Sequence, residues 1–208
     1  MLPHLKQGGV CLEWGTDYSR APLAGACREA WSIAHPDGPE CQGRSGFFAQ
    51  QRLICARLEQ FRAVVPAGWV ADTIVCTQVF EHVQHPSSAM TALVSALAPG
   101  GFLIWSAPFL EKYHRAPVDT WRFTNDSAVQ LLEEEAGLCV RWLVRAGNAM
   151  LTSGYLLGMG SPDFSTAELA HMSDYMDGDR GVDDAGGGEA LFFGVLALAQ
   201  APPCTDVA

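Results

Sequence analysis

The chain has 208 residues, of which 49% are hydrophobic and 17% charged, and its formal net charge is −10. This length and composition allow one sizeable hydrophobic core, so we predict a single domain over residues 1–208. The net negative charge argues against a nucleic-acid-binding surface, which needs clustered Lys and Arg to meet phosphates. The sequence also has no run of basic residues, and we expect no nucleic-acid partner.

Leader segments and cysteines bear on the compartment. The N-terminal run MLPHLKQGGVCLEWG lacks the apolar core of a signal peptide, and no run approaches the roughly 18 apolar residues of a membrane helix. The seven cysteines form no CxxC pair. Their odd number, with Cys76 and Cys139 inside apolar strand patterns, predicts reduced, buried thiols. We therefore expect a cytoplasmic protein without membrane attachment.

The first third of the chain opens with a turn. By their pattern alone, residues 10–19 predict a turn of no special role. Residues 24–34 favour a helix, because small and apolar residues recur on one side. A loop follows at residues 35–40, where turn-forming residues cluster. Residues 51–62 are ambiguous, since both a strand over residues 53–56 and a helix fit them.

The centre of the chain is more regular. Residues 73–76 form a β-branched, apolar run typical of a buried parallel strand. Pro86 suits the first turn of a helix, where its missing N–H would have no partner. The helix has one apolar stripe, made by Met90, Leu93, Val94 and Leu97. After Pro99-Gly100-Gly101 the run at residues 102–105 predicts a second buried strand. Strand, helix and strand make a βαβ unit, which builds parallel α/β sheets.

Polar clusters follow both of these strands, at residues 77–85 and 106–124. In open parallel sheets, ligands bind outside the carboxyl ends of the strands. The two clusters therefore mark the predicted site.

The last third adds a helix, two strands and an insertion. Asn125 and Asp126 are good N-caps for a helix that Gly137 ends. Alternation over residues 140–145 predicts a strand, and residues 191–199 predict a final, antiparallel one. Between them, a Gly- and Asp-rich insertion at about residues 147–190 has the composition of a mobile, solvated segment that could act as a lid. Its run at residues 177–183 lacks the glycine and glutamate of a calcium loop.

Three motifs, in order, carry a family resemblance: CTQVFEHV at residues 76–83, APGG at residues 98–101 and HRAPVDTWRFT at residues 114–124. Together they resemble the later half of class I S-adenosylmethionine-dependent methyltransferases, especially the small-molecule branch called type 11. The resemblance is good over roughly residues 70–145. It implies a Rossmann-like, doubly wound, mostly parallel sheet with an antiparallel last strand.

The resemblance also implies a cofactor site. In the family, a glycine-rich turn after the first strand lets the cofactor approach the backbone. Here Glu13 and Gly15 fit that pattern, whereas Asp17 takes the place of the second glycine, so the turn is eroded. The residues expected to bind S-adenosylmethionine are Glu13, Gly15, Asp17, Thr77, Gln78 and Val79. An acidic residue about 20 positions after the turn would hold the ribose hydroxyls, and Asp37 or Glu40 could serve, although a plain surface loop also fits.

Methyl transfer from a sulfonium depends on aligning nucleophile, methyl and sulfur, and needs a base only if the nucleophile must lose a proton. We take His82 and His114 as candidate catalytic residues. The candidates for binding the acceptor are Tyr113, Asp119, Trp121 and Arg122. The sulfonium charge would be favoured by an aromatic face such as Trp14, Tyr18 or Phe80. Structural roles fit as well: Asp119 and Arg122 could pair to pin their loop, and Trp121 could be a core residue.

Two other functions fit parts of the pattern. His82 and His85, with Glu81 and His114, could form the metal site of a hydrolase. The HExxH pattern is absent, however, and Glu81 precedes the first histidine, so we expect no metal. The eroded turn instead suggests a domain that has lost catalysis and acts as a binding or partner subunit. We predict methyl transfer from S-adenosylmethionine to a small-molecule acceptor; the sequence identifies neither the acceptor nor the oligomeric state.

Overall fold

The computed structural model describes residues 8–14, 27–115, 118–169, 172–174 and 192–204. Nine strands in this part of the chain join in one sheet. Their bounds are β1 Gly9–Trp14, β2 Cys27–Ala34, β3 Gly46–Phe48, β4 Leu53–Cys55, β5 Ala71–Thr77, β6 Leu97–Pro108, β7 Cys139–Ala146, β8 Met172–Asp174 and β9 Gly194–Gln200.

Strand order and direction confirm the predicted fold class. The order across the sheet is β3-β4-β2-β1-β5-β6-β9-β7-β8. The run β4-β2-β1-β5-β6 is parallel throughout. β9 lies antiparallel between β6 and β7, and the two edge strands β3 and β8 are also antiparallel to their neighbours. The sheet is therefore Rossmann-like and mostly parallel with an antiparallel last strand, and the order reverses at β1, where such sheets bind ligands.

The helices are short. The α-helices are α1 Phe61–Val64, α2 Pro86–Val94, α3 Asn125–Val129, α4 Ala149–Leu156 and α5 Thr166–Leu169. A π-helical stretch, Gln130–Glu135, continues α3. Single 3₁₀ turns occur at Ala49–Gln51, Leu58–Gln60, Phe80–His82 and Ser161–Asp163. No helix among the described residues is long and apolar enough to cross a membrane.

The predicted βαβ unit is present as β5, α2 and β6. Pro86 opens α2, and Met90 and Leu93 on its inner face are completely buried. Leu97, predicted on the same helical stripe, instead lies in β6 and pairs with Ala71. The helix ends earlier than its apolar stripe, because the chain after Val94 turns back into the sheet. Gly100 has a φ of +73°, a left-handed conformation that favours glycine.

The helix predicted at residues 24–34 is wrong for its described part. Residues 27–34 form β2, which lies parallel to β1 with Trp31 opposite Leu12. Half-buried and exposed residues alternate at the start of β2, and its last four residues are all buried, so the segment has no single helical face. Small and apolar residues suit a fully buried parallel strand as well as a helix, and sheet pairing decided between them.

The ambiguous segment at residues 51–62 contains both kinds of structure, because β4 is followed at once by helical turns that lead into α1.

The N-cap prediction for the helix after residue 124 was close but misplaced. Thr124, and neither Asn125 nor Asp126, caps α3, and its side chain accepts a hydrogen bond from the Ser127 N–H. Gly137 lies after the helix with a φ of +67°, as predicted.

The prediction of reduced, buried thiols is confirmed for Cys76 and wrong for the other six cysteines, Cys139 included. Within the described part of the chain, disulfides join Cys11 to Cys27, Cys41 to Cys55, and Cys139 to Cys204, while Cys76 is free and buried. The partners are 14 to 65 residues apart in sequence, yet the fold brings their Cα atoms to 5.7–6.2 Å, a separation that suits a disulfide. Disulfides persist in oxidising compartments. The cytoplasmic location stays a prediction, and the argument from thiols no longer supports it.

The insertion at about residues 147–190 is partly described. It begins with α4 and continues through α5 to β8, which pairs with β7. The acidic run at residues 177–183 lies outside the described residues. The single domain and the role of the insertion as a lid stay predictions.

Candidate functional site

A cavity of about 800 Å³ opens at the carboxyl ends of β1, β2 and β5. Its walls include Glu13 and Trp14 from β1, Ile33 and Ala34 from β2, and Thr77 from β5. This volume lies within the range of small-molecule sites, and the position is the one at which parallel sheets bind ligands.

The donor-side residues predicted at the strand ends line this cavity. Thr77, Gln78 and Val79 contribute to its wall, and Glu13 lies opposite, at the end of β1, with 7% of its surface exposed. Gln78 has a φ of +55°, which is unusual for a residue other than glycine. Its N–H donates to the Ser106 carbonyl at 3.0 Å, and its Nε2 donates to the Ser106 hydroxyl at 3.2 Å. These bonds tie the end of β5 to β6. Gly15, Asp17 and Tyr18 lie outside the described residues.

Asp119 and Arg122 form the predicted pair. The Asp119 side chain is 1% exposed and accepts bonds from Arg122 Nη1 at 2.5 Å and Nη2 at 3.0 Å. It also accepts the N–H of His114 at 2.9 Å. The hydrogen bond from Arg122 is the main reason that the pKa of Asp119 lies well below its ordinary value, and it raises the pKa of Arg122. Neither residue lines the cavity, so the pair pins the segment after β6.

Tyr113 and Trp121 also lie away from the cavity wall. Tyr113 is 75% exposed, and Trp121 is 41% exposed and donates its indole N–H to the Val83 carbonyl at 3.0 Å. Trp121 is therefore not the core residue that its type suggested. Phe80 is completely buried and packs edge-on against Trp105 and Phe123, so its face is not open to a cofactor.

The two candidate catalytic histidines lie together. Their rings are 4.9 Å apart between centroids and nearly perpendicular. His82 lines the cavity, whereas His114 does not. Each ring has its Nδ1 beside a backbone carbonyl: that of Val118 at 2.5 Å for His82, and that of Lys112 at 2.9 Å for His114.

Glu81 lies beside both histidines. Its side chain is 1% exposed, and a carboxylate oxygen is 3.7 Å from His82 Nε2. Burial raises the pKa of Glu81, and the nearby His82, His114 and Arg122 partly oppose that rise. The sequence placed Glu81 and His82 after one strand and His114 after the next, but did not show that the Glu81 side chain would be buried.

A family comparison decides the identity of this arrangement. The model of the methyltransferase domain family matches residues 1–139, which is more than half of the chain. The chain belongs to this family. With the observed sheet order, it is a class I S-adenosylmethionine-dependent methyltransferase, which confirms the resemblance, and S-adenosylmethionine is the cofactor of that class.

Solved structures share the fold of this methyltransferase at low sequence identity. The N-methyltransferase NodS from Bradyrhizobium japonicum, in complex with S-adenosyl-L-homocysteine, is 16% identical with a TM-score of 0.51, over 97% of this chain and 84% of NodS. A SAM-dependent methyltransferase from Thermotoga maritima is 13% identical with a TM-score of 0.55, over 96% and 85%.

The [4+2]-cyclase SpnF is 13% identical with a TM-score of 0.53, over 95% of this chain and 77% of SpnF. Among curated protein sequences, none matches the chain. Since a cyclase has the same fold, the fold by itself does not decide the reaction.

Several wall residues of the methyltransferase were missed by sequence reasoning. Ile33 and Ala34 were missed because β2 was read as a helix, and Arg57, Leu58 and Glu59 because the end of β4 was ambiguous. Placing a strand over residues 53–55 would have pointed to the next few residues. Asp37 and Glu40, named for the ribose hydroxyls, do line the cavity.

Proposed function

We propose that this chain transfers the methyl group of S-adenosylmethionine to a small-molecule acceptor. The observation that carries the proposal is the shared wall of one cavity. Glu13 at the end of β1 and Thr77, Gln78 and Val79 at the end of β5 were assigned to the cofactor from the family resemblance, and all four line the same 800 Å³ space.

The chemistry of the wall fits the cofactor. S-adenosylmethionine carries a sulfonium, an ammonium and two ribose hydroxyls, all of which favour carboxylates, and an adenine that favours apolar surface. The carboxylates in the wall are Glu13, Asp37, Glu40 and Glu59, and the apolar side chains include Ile33 and Leu58. Trp14 adds an aromatic side chain of the kind that stabilises cations. When bound, the cofactor supplies an electrophilic methyl group.

The acceptor would enter from the side of His82. With its Nδ1 donating to the Val118 carbonyl, neutral His82 has a lone pair on Nε2 that could take a proton from the acceptor. Alignment of the acceptor with the methyl group supplies most of the acceleration, so the binding of both reactants matters more than the base. Of the other residues assigned from the sequence, His114 acts through its contact with His82, and Asp119 with Arg122 positions His114.

The test is calorimetry with S-adenosylmethionine and S-adenosylhomocysteine on the wild-type chain and on Glu13→Gln. We expect one site per chain and a Kd for the variant that is roughly ten-fold higher, because a charged hydrogen bond contributes about 1.5 kcal/mol or more. Glu134→Gln, an exposed substitution outside the cavity wall, is the matched control and should leave the Kd unchanged. Circular dichroism shows that each variant is folded.

Absence of binding at millimolar cofactor would contradict the proposal and would favour the partner-domain alternative, since a domain that has lost catalysis has no need of the methyl donor. If binding is found, formation of S-adenosylhomocysteine in the presence of candidate acceptors tests the transfer itself.

A further inference from the structure

We propose that Glu81, His82 and His114 form a binding site for a divalent transition-metal ion. The fold brings these three side chains together from two segments, the 3₁₀ turn after β5 and the loop after β6. Each offers one ligand atom, and all three atoms lie within 4.8 Å of one another.

The spacing is close to that of a metal site. Ligands at about 2.1 Å from a tetrahedral ion lie roughly 3.4 Å apart. The observed separations therefore need side-chain shifts of about 1 Å or little more. Glu81 and His82 are adjacent in the chain, and the His114 side chain is 39% exposed, so there is room for a shift of that size.

Glu81 supplies a second and independent observation. Its carboxyl group is 1% exposed, and neither of its oxygens has a hydrogen-bond partner among the described residues. The nearby Arg122 is engaged by Asp119 at 2.5 Å. A buried carboxyl without a partner is costly, and a bound cation is one of the few groups that can compensate it. One oxygen of the carboxyl lies 3.7 Å from His82 Nε2, and a ring nitrogen of His114 lies within 4.8 Å of the carboxyl.

The histidines are held as metal ligands usually are. A backbone carbonyl can only accept a hydrogen bond, so the Nδ1 atoms of both rings carry the proton that they share with Val118 and Lys112. This fixes the tautomer and leaves Nε2 of each neutral ring with its lone pair. A backbone carbonyl behind the second ring nitrogen is a common way in which proteins orient metal-bound histidines.

Two imidazoles and one carboxylate select the class of ion. Imidazole suits zinc, iron, cobalt and nickel, whereas calcium and magnesium prefer oxygen ligands. Three protein ligands leave coordination positions open, and His82 places them beside the cavity. If the chain transfers methyl groups as proposed above, an oxygen of the acceptor can take such a position, and His82 is then a ligand of the ion and no longer the base. Metal binding itself does not depend on that function.

The sequence pattern counts against a metal because HExxH is absent and because Glu81 precedes the first histidine, and the set that it offers includes His85. The fold gives a different set. His85 is exposed and does not belong to the cluster. It is therefore the matched control for the two histidines that do.

The experiment uses the tag-free, oxidised full-length chain, stripped with a chelator and titrated with Co²⁺, followed by visible absorption, and with Zn²⁺, followed by calorimetry. We expect one ion per chain and a d–d absorption band for Co²⁺. Glu81→Gln and His114→Ala should each weaken binding by about ten-fold or more, whereas His85→Ala should bind as the wild type does. Circular dichroism of each variant confirms the fold.

Two results would overturn the proposal: no saturable binding of either ion at millimolar concentration, or equal weakening by His85→Ala and by the ligand variants. S-adenosylhomocysteine is titrated into the same metal-free samples. If it binds while the metals do not, this inference fails and the proposed function stands. If the metals bind and it does not, the metal site stands without the proposed function.

Discussion

At the scale of single residues, Asp119 orders the loop that carries His114. Its buried carboxylate accepts two hydrogen bonds from Arg122 and one from the His114 N–H. The same loop contains Val118, whose carbonyl contacts His82. The Asp119 carboxylate thus holds the loop together and fixes the backbone of His114 at the site. Because its charge is compensated at short range, we expect stability to depend on its ionisation.

The prediction concerns stability at low pH. The folded-state pKa of Asp119 is lowered from an ordinary value of 3.8, mainly by the bond from Arg122. A lowered pKa means that the folded state favours the ionised form. The contribution is therefore present above about pH 4 and is lost as the pH falls below it. Urea unfolding should show a steeper loss of the free energy of unfolding below pH 4 for the wild type than for Asp119→Asn.

At neutral pH the same variant should be less stable by about 2 kcal/mol, the range for hydrogen bonds to charged groups. Glu134→Gln, on the exposed side of the helical segment after α3, is the control and should change little. Parallel pH profiles for wild type and Asp119→Asn would show that the pair does not contribute.

Some positions in the candidate site could be predicted from the sequence and others could not. Thr77, Gln78 and Val79 follow a run whose strand character is unmistakable, so their place at the sheet edge could be predicted. Tyr113 and Trp121 follow a strand as well, but their direction depends on the fold of the loop, which the Asp119–Arg122 pair determines. The orientation of a side chain in a loop is a tertiary property, and spacing along the chain does not contain it.

At the scale of elements, the Cys41–Cys55 disulfide ties the loop at residues 35–40 to the end of β4. The loop supplies Asp37 and Glu40 to the cavity, and Arg57 follows β4. The pair closes a segment of 14 residues, for which the chain-entropy estimate is about 3 kcal/mol. Replacing both cysteines by alanine should lower the free energy of unfolding by about that amount and weaken S-adenosylhomocysteine binding.

The Cys139–Cys204 pair is the matched control. It joins β7 to the segment after β9, and neither cysteine lines the cavity. Its double alanine variant should lose stability while binding the cofactor with the wild-type Kd. Calorimetry and urea unfolding of both variants separate the two effects, and equal loss of affinity would show that the first disulfide has no special relation to the site.

The sequence predicted some helices and strands correctly and missed others. β5, α2 and β6 were found because their apolar periods differ clearly and because Pro86 and the glycines at residues 100–101 separate them. β2 was not, since its residues suit a helix in isolation and become a strand only when β1 lies beside them. The disulfides were missed for a related reason: cysteines far apart in sequence meet only through the sheet.

At the scale of the whole molecule, the sheet has a well-defined centre. β5 pairs with β1 on one side and β6 on the other, and its residues Thr73 to Cys76 are all buried. At the opposite extreme, β3 has three residues, has β4 as its single partner among the described strands, and is half-buried. The middle of the sheet should therefore open only when the protein unfolds globally, while its edge should open locally.

Native-state hydrogen exchange tests this expectation. The amides of Ile74 and Val75 should exchange with an opening free energy equal to that of global unfolding and should follow the same dependence on urea. The amides of Phe47 and Phe48 should exchange faster and show little dependence on urea, because local opening exposes little surface. Protection of β3 equal to that of β5 would contradict the prediction and would mean that the sheet opens as one cooperative unit. The cavity is lined by the end of β5 and by the loop at residues 35–40, which precedes β3. If β5 exchanges more slowly than β3, the cavity lies between the most stable and the least stable parts of the sheet.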